Sequence, residues 1–306
     1  MKTKMKQLLT TVFALTLSLV TFSQVSTNLK FALKKDNVYK MKAISNQNVV
    51  STFNGNSITS IIKSVSSISY KLVSLDNDMM NIEFKFDTIQ SKSTSPMGNR
   101  ETNSAIRAKK TEYLEQLMNR FSSNSIIAKI STSGKFTGFE NYKVFRDNIL
   151  LGLDSVPENK KDQIQKQIEM VIKESSIQSM IEPLFAYMPE KEVKTGDKWE
   201  TSFAVNGGGL SGMIFNTITL VNFDNKTVQL DLKSELESIP SSDQNAIMSF
   251  DIKGNSTGSM TIDPKSGLIL NSKENKNYSG IMTVKNQGNE MKIPMVIESQ
   301  SEIIKQ

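Results

Sequence analysis

Any catalytic or metal-binding chemistry in this chain has to be built without imidazole or thiol, because its 306 residues contain no His and no Cys. Ser-His-Asp and Cys-His systems are therefore excluded. A Ser-Lys pair remains conceivable, and Ser60-Ile61-Ile62-Lys63 has the bare spacing. The segment reads as a strand, which turns Ser60 and Lys63 to opposite faces. A metal site would have to be all-carboxylate, which suits hard cations. Asp76-Asn77-Asp78 is the nearest approach, but it lacks the Gly and the distal Glu of a calcium loop and reads as a turn. Paired carboxylates for glycoside hydrolysis are the remaining option. The acids, such as Asp231, Glu235 and Glu237, fall on the wet positions of an alternating strand. Gly207-Gly208-Gly209 has no Gly-Lys-Ser/Thr and leads into Leu210-Ser211-Gly212-Met213, so it reads as a hairpin or bulge and not as a phosphate loop. No catalytic residue, metal ligand or cofactor is assigned. The expected function is non-enzymatic binding of a hydrophobic ligand or lipid between sheet and helices. The alternative is a structural or protein-interaction module of the envelope with a filled core, and a carboxylate- or Lys-based enzyme comes third.

The residues better suited to binding are apolar. Trp199, the single Trp, follows the tight turn Thr195-Gly196-Asp197-Lys198 and could anchor that turn on the core or form one wall of a ligand cavity. Phe84 and Phe86 share one face of the alternating stretch 82–86, and Leu230 and Leu232 share one face of 226–237. These five residues are the candidate lining of an apolar site. Sixteen Met residues add adaptable apolar surface, though ordinary core filling is the favoured account of them. The partners expected are a hydrophobic ligand or lipid, or another envelope protein. Nucleic acid is not expected, because the basic clusters (Lys34-Lys35; Arg107, Lys109, Lys110; Lys160-Lys161) are short and do not form a sustained patch.

These residues need elements to position them. Segments 38–53, 57–75 and 79–90 are rich in Ile, Val, Ser and Thr, with a turn at Asn54-Gly55-Asn56, and 91–103 reads as a loop. The period changes at 105–121, where Ile106, Tyr113, Leu114, Leu117, Met118 and Phe121 fall on one helical face. Helices are also expected over 140–188, with Pro157 suited to a first turn and Pro183 to a kink. From 193 the pattern is again one of strands, with one face apolar and one wet, as in an antiparallel sheet. Two hairpin turns look alike, Ile130-Ser-Thr-Ser-Gly134 and Ile262-Asp-Pro-Lys-Ser-Gly267, each an apolar strand end followed by a polar turn closed by Gly. The expected fold is α+β: a curved antiparallel β-sheet in two β-rich halves, with helices near 105–121 and 140–188 packed on one face. One domain is expected over 24–306, β-rich at 29–139, helical at 140–188 and β-rich at 193–306.

The first 23 residues read as a secretory signal. Lys2, Lys4 and Lys6 precede an apolar run over 8–20, and small residues then lead to a cut between Ser23 and Gln24. That run is short of the ~20 residues a spanning helix needs. The mature chain is expected to be periplasmic or secreted, with no transmembrane segment. The formal charge of +6 includes the three signal lysines, so the mature chain carries +3.

Three signposts together resemble a family of uncharacterised exported bacterial proteins of Bacteroidota type. They are the turn Ser131-Thr-Ser-Gly134, the stretch 189–199 ending Val193-Lys-Thr-Gly196-Asp-Lys-Trp199, and the late turn Ile262-Asp-Pro-Lys-Ser-Gly267-Leu268. In that family a Val-x-x-Gly-Asp-x-Trp turn opens the second β half, and the resemblance implies no known activity. A curved sheet with helices on its concave face is also similar, at fold level only, to periplasmic lipoprotein carriers.

Overall fold

The computed structural model describes residues 26–109, 113–151, 156–158, 161, 164–165, 168, 171–207, 209–239, 248–286 and 289–306. The expected signal segment, its cleavage residues Ser23 and Gln24, Leu114 as a side chain, and Gly208 lie outside the described residues.

The chain is mostly β, and this corrects the expected α+β class. Strands β2 (Val38–Phe53), β3 (Asn56–Asp76), β4 (Met79–Ser95), β5 (Gly98–Asn103), β6 (Ser125–Ser131) and β7 (Phe136–Phe139) form the first half. The second half comprises β9 (Lys198–Gly207), β10 (Leu210–Phe223), β11 (Val228–Ser238), β12 (Met248–Ile262), β13 (Ile269–Asn286) and β14 (Asn289–Lys305). All belong to one 12-stranded sheet in the order β7-β6-β4-β3-β2-β14-β13-β12-β11-β10-β9, with β5 paired to β4. Every pairing in it is antiparallel. Short strands β1 (Ser26–Thr27) and β8 (Val193–Lys194) pair separately.

Helices are a minor component: α1 (Tyr113–Ser123), α2 (Tyr142–Leu150) and α3 (Glu174–Ile181), with a 3-10 turn at Glu182–Leu184, are the named ones among the described residues. Of the helix expected over 105–121, residues 105–109 are not helical and the described helix runs Tyr113–Ser123. The Asn119 side chain accepts the Ala108 N–H at 2.8 Å and donates to the carbonyls of Ser104 and Ile106, which holds 104–108 as a loop. The loop expected at 91–103 is instead the end of β4 and all of β5, with Pro96 and Met97 at their turn.

One face of the sheet, here the inner face, carries the core. Ile82, Phe84, Ile126 and Ile130 from one half join Ile218, Leu220, Leu230 and Ile262 from the other in a single buried cluster. Strands near opposite ends of the sheet thus share one core, which requires the sheet to roll. Glycines permit the roll: a Cβ at Gly254 on β12 would overlap the backbone of Asn277 and Tyr278 on β13. Ile164, Ile168, Ile172, Ile177 and Ile181 bury helical side chains in the same cluster.

A strap at 29–33 closes the lower end and buries Leu29, Phe31 and Leu33. The two look-alike turns both dock on it: Phe31 N–H donates to the Thr132 carbonyl at 2.8 Å, and Ala32 N–H to the Ser266 carbonyl at 3.0 Å. Segment 185–188 lies against the same strap, with the Phe31 ring tilted against Phe185 at 4.9 Å and edge to face with Tyr187 at 5.5 Å. The edge of β9 is covered in part by α3, where the Ser179 hydroxyl donates to the Ala204 carbonyl and accepts the Asn206 N–H. Capping an edge strand in this way removes a template for pairing with another chain.

Candidate functional site

Strand register puts a row of polar side chains across the inner face at mid-height. Thr201 pairs with Asn216, Asn216 with Ser234, Ser234 with Ser256, Ser256 with Lys276, Lys276 with Ser299, and Ser299 with Gln47. Directly opposed residues of antiparallel strands share a face. This belt therefore lies on the same face as Ile218 and Leu230. Below it is the main core. Above it is a second apolar cluster in which Leu236, Ile252 and Met295 are buried and Val49, Val205, Leu210, Ile214, Phe250 and Met282 half-buried. The inner face is thus layered apolar, polar, apolar, with α3 reaching the upper layer along β9 through Ser179.

A groove of about 1020 Å³ opens over the belt. Its floor is centred on Thr201, Asn216, Ser234 and Ser256, and Glu182, Ala186 and Met188 border it from the segment after α3. Gly134 to Phe136, at the β7 edge, and Glu200 to Ser202, at the β9 edge, line it together. The two outermost strands of the rolled sheet therefore meet across one groove.

The floor is nearly buried yet not fully hydrogen-bonded. Asn216, Ser234 and Ser256 are only 7 %, 5 % and 3 % exposed. Asn216 Nδ2 donates to Thr201 Oγ1 at 3.1 Å, and Thr201 Oγ1 donates to the Ala186 carbonyl at 2.7 Å. Ser256 Oγ donates to Glu274, whose other oxygen meets Lys276 Nζ at 2.8 Å. Burial works to pull the Lys276 ammonium down, but the adjacent Glu274 carboxylate outweighs it and holds the pKa above its ordinary value. Asn216 Oδ1 and Ser234 Oγ have no protein partner among the described residues.

Glu182, at the border of the groove, has its pKa raised above the ordinary 4.5 by partial burial, opposed by a 2.8 Å hydrogen bond from Gln178. A raised folded-state pKa means the folded protein binds more protons than the unfolded one just above 4.5, so Glu182 lowers stability as pH rises through that window. Glu182→Gln is expected to flatten the fall in melting temperature across it, with melts at closely spaced pH values as the check.

The five lining residues predicted from sequence do not meet around this groove. Phe84 and Phe86 are buried, Phe84 packed at 5.5 Å on Tyr70 and 5.8 Å on Phe185, and Phe86 at 4.9 Å on Phe121. Leu230 is buried and Leu232 half-buried against the main core. Trp199 comes nearest: it is two residues from Thr201 on β9, pairs with Ile218, and donates its indole N–H to the Tyr187 carbonyl at 3.0 Å. The residues that do form the groove floor were missed because Ser, Thr and Asn on an inner face carry no alternation signal in stretches such as 253–259. Ser60 and Lys63 lie on opposite faces of β3, and Asp76-Asn77-Asp78 is the β3–β4 turn. No group of three or more acidic residues among the described residues is placed to hold a metal ion, and no helix among them is long and apolar enough to cross a membrane.

The chain aligns with a family of unknown function, DUF6263, over residues 77–269. No curated protein matches it. Among solved structures, one titled "Lipid-protein interactions in lipovitellin" aligns over 90 % of this chain and 25 % of its own, at 9 % identity and a TM-score of 0.43. This chain therefore spans about a quarter of that protein's length. The COG4313 outer membrane channel from Pseudomonas putida F1 aligns over 90 % of this chain and 97 % of its own, at 6 % identity and a TM-score of 0.28. Pseudomonas aeruginosa OccK5 aligns over 90 % and 100 %, at 5 % identity and 0.23. These scores are too low to establish a shared fold. The family match is of another kind: running from the β3–β4 turn into the start of β13, it takes in both edges of the groove and spans well over half of the chain, so this protein belongs to the DUF6263 family, whose function is unknown.

Proposed function

We propose that the protein is an exported, non-enzymatic envelope protein that binds a lipid or other hydrophobic ligand on the inner face of its rolled sheet. The observation that carries this reading is the groove of about 1020 Å³ lying between a closed apolar layer and a half-open one. Small-molecule sites are concave, mostly apolar and furnished with a few convergent polar groups. The location differs from the one expected from sequence. The space between sheet and helices is filled by Phe84, Phe86, Phe121 and Phe185, whereas the space over the belt is open. Export is supported by the basic, apolar and small-residue order of 1–23. The non-enzymatic reading rests on the lack of His and Cys and on strand alternation, which turns Glu200, Lys233 and Glu235 away from the floor.

The filled lower core favours a second reading, an interaction module of the envelope that holds no small ligand. Native mass spectrometry of the protein purified from its own host's envelope fraction, followed by organic extraction, separates the two. Ligand binding predicts mass beyond the chain that extracts as an apolar molecule, on a chain beginning at Gln24. A bare chain that also takes up nothing from lipid vesicles would overturn that reading in favour of the module.

A further inference from the structure

The polar belt has a chemistry of its own that narrows the ligand class, given the ligand-binding reading above. Its members on the groove floor are hydroxyls and an amide: half-buried Thr201 and nearly buried Asn216, Ser234 and Ser256. Buried polar groups in folded proteins are almost always hydrogen-bonded, because leaving one unpaired costs its full desolvation penalty. Here the Ser234 hydroxyl and Asn216 Oδ1 are spent on no protein group among the described residues and, not being among the fully buried unpartnered atoms, still reach solvent and are open to a ligand, while Thr201 and Ser256 each keep accepting capacity. The floor thus offers one free donor-acceptor and several free acceptors within a few rungs of one another. Such a set fits hydroxyl groups, which both donate and accept.

Charge argues the same way. The one ammonium of the belt, Lys276, is engaged by Glu274. Glu200, Lys233 and Glu235 flank the groove but turn to the outer face, so the charges left at its border are Glu182 and Glu190 against Lys135. An anionic head would meet net negative charge and no unengaged cation on the floor. A cationic head would find the carboxylates only at the border or on the outer face, away from the buried row. Above the belt the half-open layer of Val49, Val205, Leu210, Ile214, Phe250 and Met282 offers an apolar surface to a chain.

We propose that the belt is the head-group subsite for an amphiphile with an uncharged, hydroxyl-rich head, a sugar or polyol, whose apolar chain lies on the upper layer. Trp199, one rung from Thr201 and the single Trp in the chain, is a built-in reporter. The test titrates octyl glucoside, octyl sulfate and octyltrimethylammonium, each below its micellar concentration, into the full-length mature protein while Trp199 emission is followed. Octyl glucoside is expected to give a saturable change, with both charged compounds at least ten-fold weaker. Ser234→Ala removes a hydroxyl that no protein group uses, so its melting temperature should match wild type. Its affinity for octyl glucoside should fall by about two- to ten-fold, the worth of one neutral hydrogen bond. Equal or tighter binding of either charged compound would overturn the proposal, as would unchanged glucoside affinity in Ser234→Ala. Failure of all three compounds to bind would also overturn it. A lipid found by native extraction would in that case leave the ligand-binding reading standing and remove only the head-group class.

Discussion

Phe84→Ala is expected to lower the stability of the fold by about 3–5 kcal/mol, the usual cost of truncating a fully buried Phe. Phe84 has no exposed surface and lies in the main core. It stacks on Tyr70 from β3 and meets Phe185, edge to face, from the segment that also lies against the strap. Removing the ring opens a cavity that its neighbours cannot close. They are themselves fixed: Phe185 by Phe31 at 4.9 Å, and Tyr70 by Tyr39 at 5.6 Å. In a chain of this size each kcal/mol moves the melting temperature by roughly 2–4 °C, so the loss should be on the order of 10 °C. The same variant tests the position of the site. If Phe84 lined the ligand, its truncation would change ligand affinity with little effect on stability. A core residue gives the reverse: a large fall in melting temperature, with ligand affinity near wild type below the transition. Thermal melts with and without a bound amphiphile distinguish the two outcomes.

The difference between lining and filling was not legible in the sequence. Alternation over 82–86 and 226–237 marks which side chains turn inward, because polar and apolar residues separate cleanly by face. It carries no information about what the inward side chains meet. The occupant of the space beside Phe84 is Phe185, about a hundred residues away, brought there by the strap. The polar belt was hidden for a related reason. Ser234, Ser256 and Ser299 occupy inward positions, and on β12 and β14 their outward neighbours are polar too, so no period emerges. Only the register of six pairings places them in one row. The balance of helix to strand was misread because 105–121 satisfies a helical period that includes Ile106, whereas Ile106 is 65 % exposed and its segment is tied down by Asn119. Periodicity counts apolar residues and cannot weigh one side-chain amide against a turn of helix.

The resemblance of the two hairpin turns was legible, and it predicts a matched pair of large effects. Gly134→Ala and Gly267→Ala should each destabilise the protein by about 2–5 kcal/mol, combining the left-handed backbone with steric overlap. Gly134 has φ +87° and Gly267 φ +74°, both in the region that favours glycine. A Cβ at Gly134 would overlap the Phe185 carbonyl, and one at Gly267 would come within 2.6 Å of the Lys30 carbonyl and 2.7 Å of Met188 Cε. In both cases the nearest obstruction is backbone, the Phe185 carbonyl for Gly134 and the Lys30 carbonyl for Gly267, which cannot swing aside as the Met188 side chain can. Gly267 also presents its carbonyl to the Tyr187 hydroxyl at 2.7 Å, a buried bond that a shifted turn would break. Gly55 supplies the control. It has φ +79° at the β2–β3 turn, and a Cβ there would meet nothing within 4 Å, so Gly55→Ala should cost only the backbone share, about 1–2 kcal/mol. Equal melting temperatures for all three variants would mean that the turns are merely glycine-dependent hairpins. A clear gap between Gly55→Ala and the other two would establish that both turns are docked, Gly134 against segment 185–188 and Gly267 against the strap. Gly134 also borders the groove, so Gly134→Ala should bind ligand more weakly than Gly55→Ala at temperatures where both are folded.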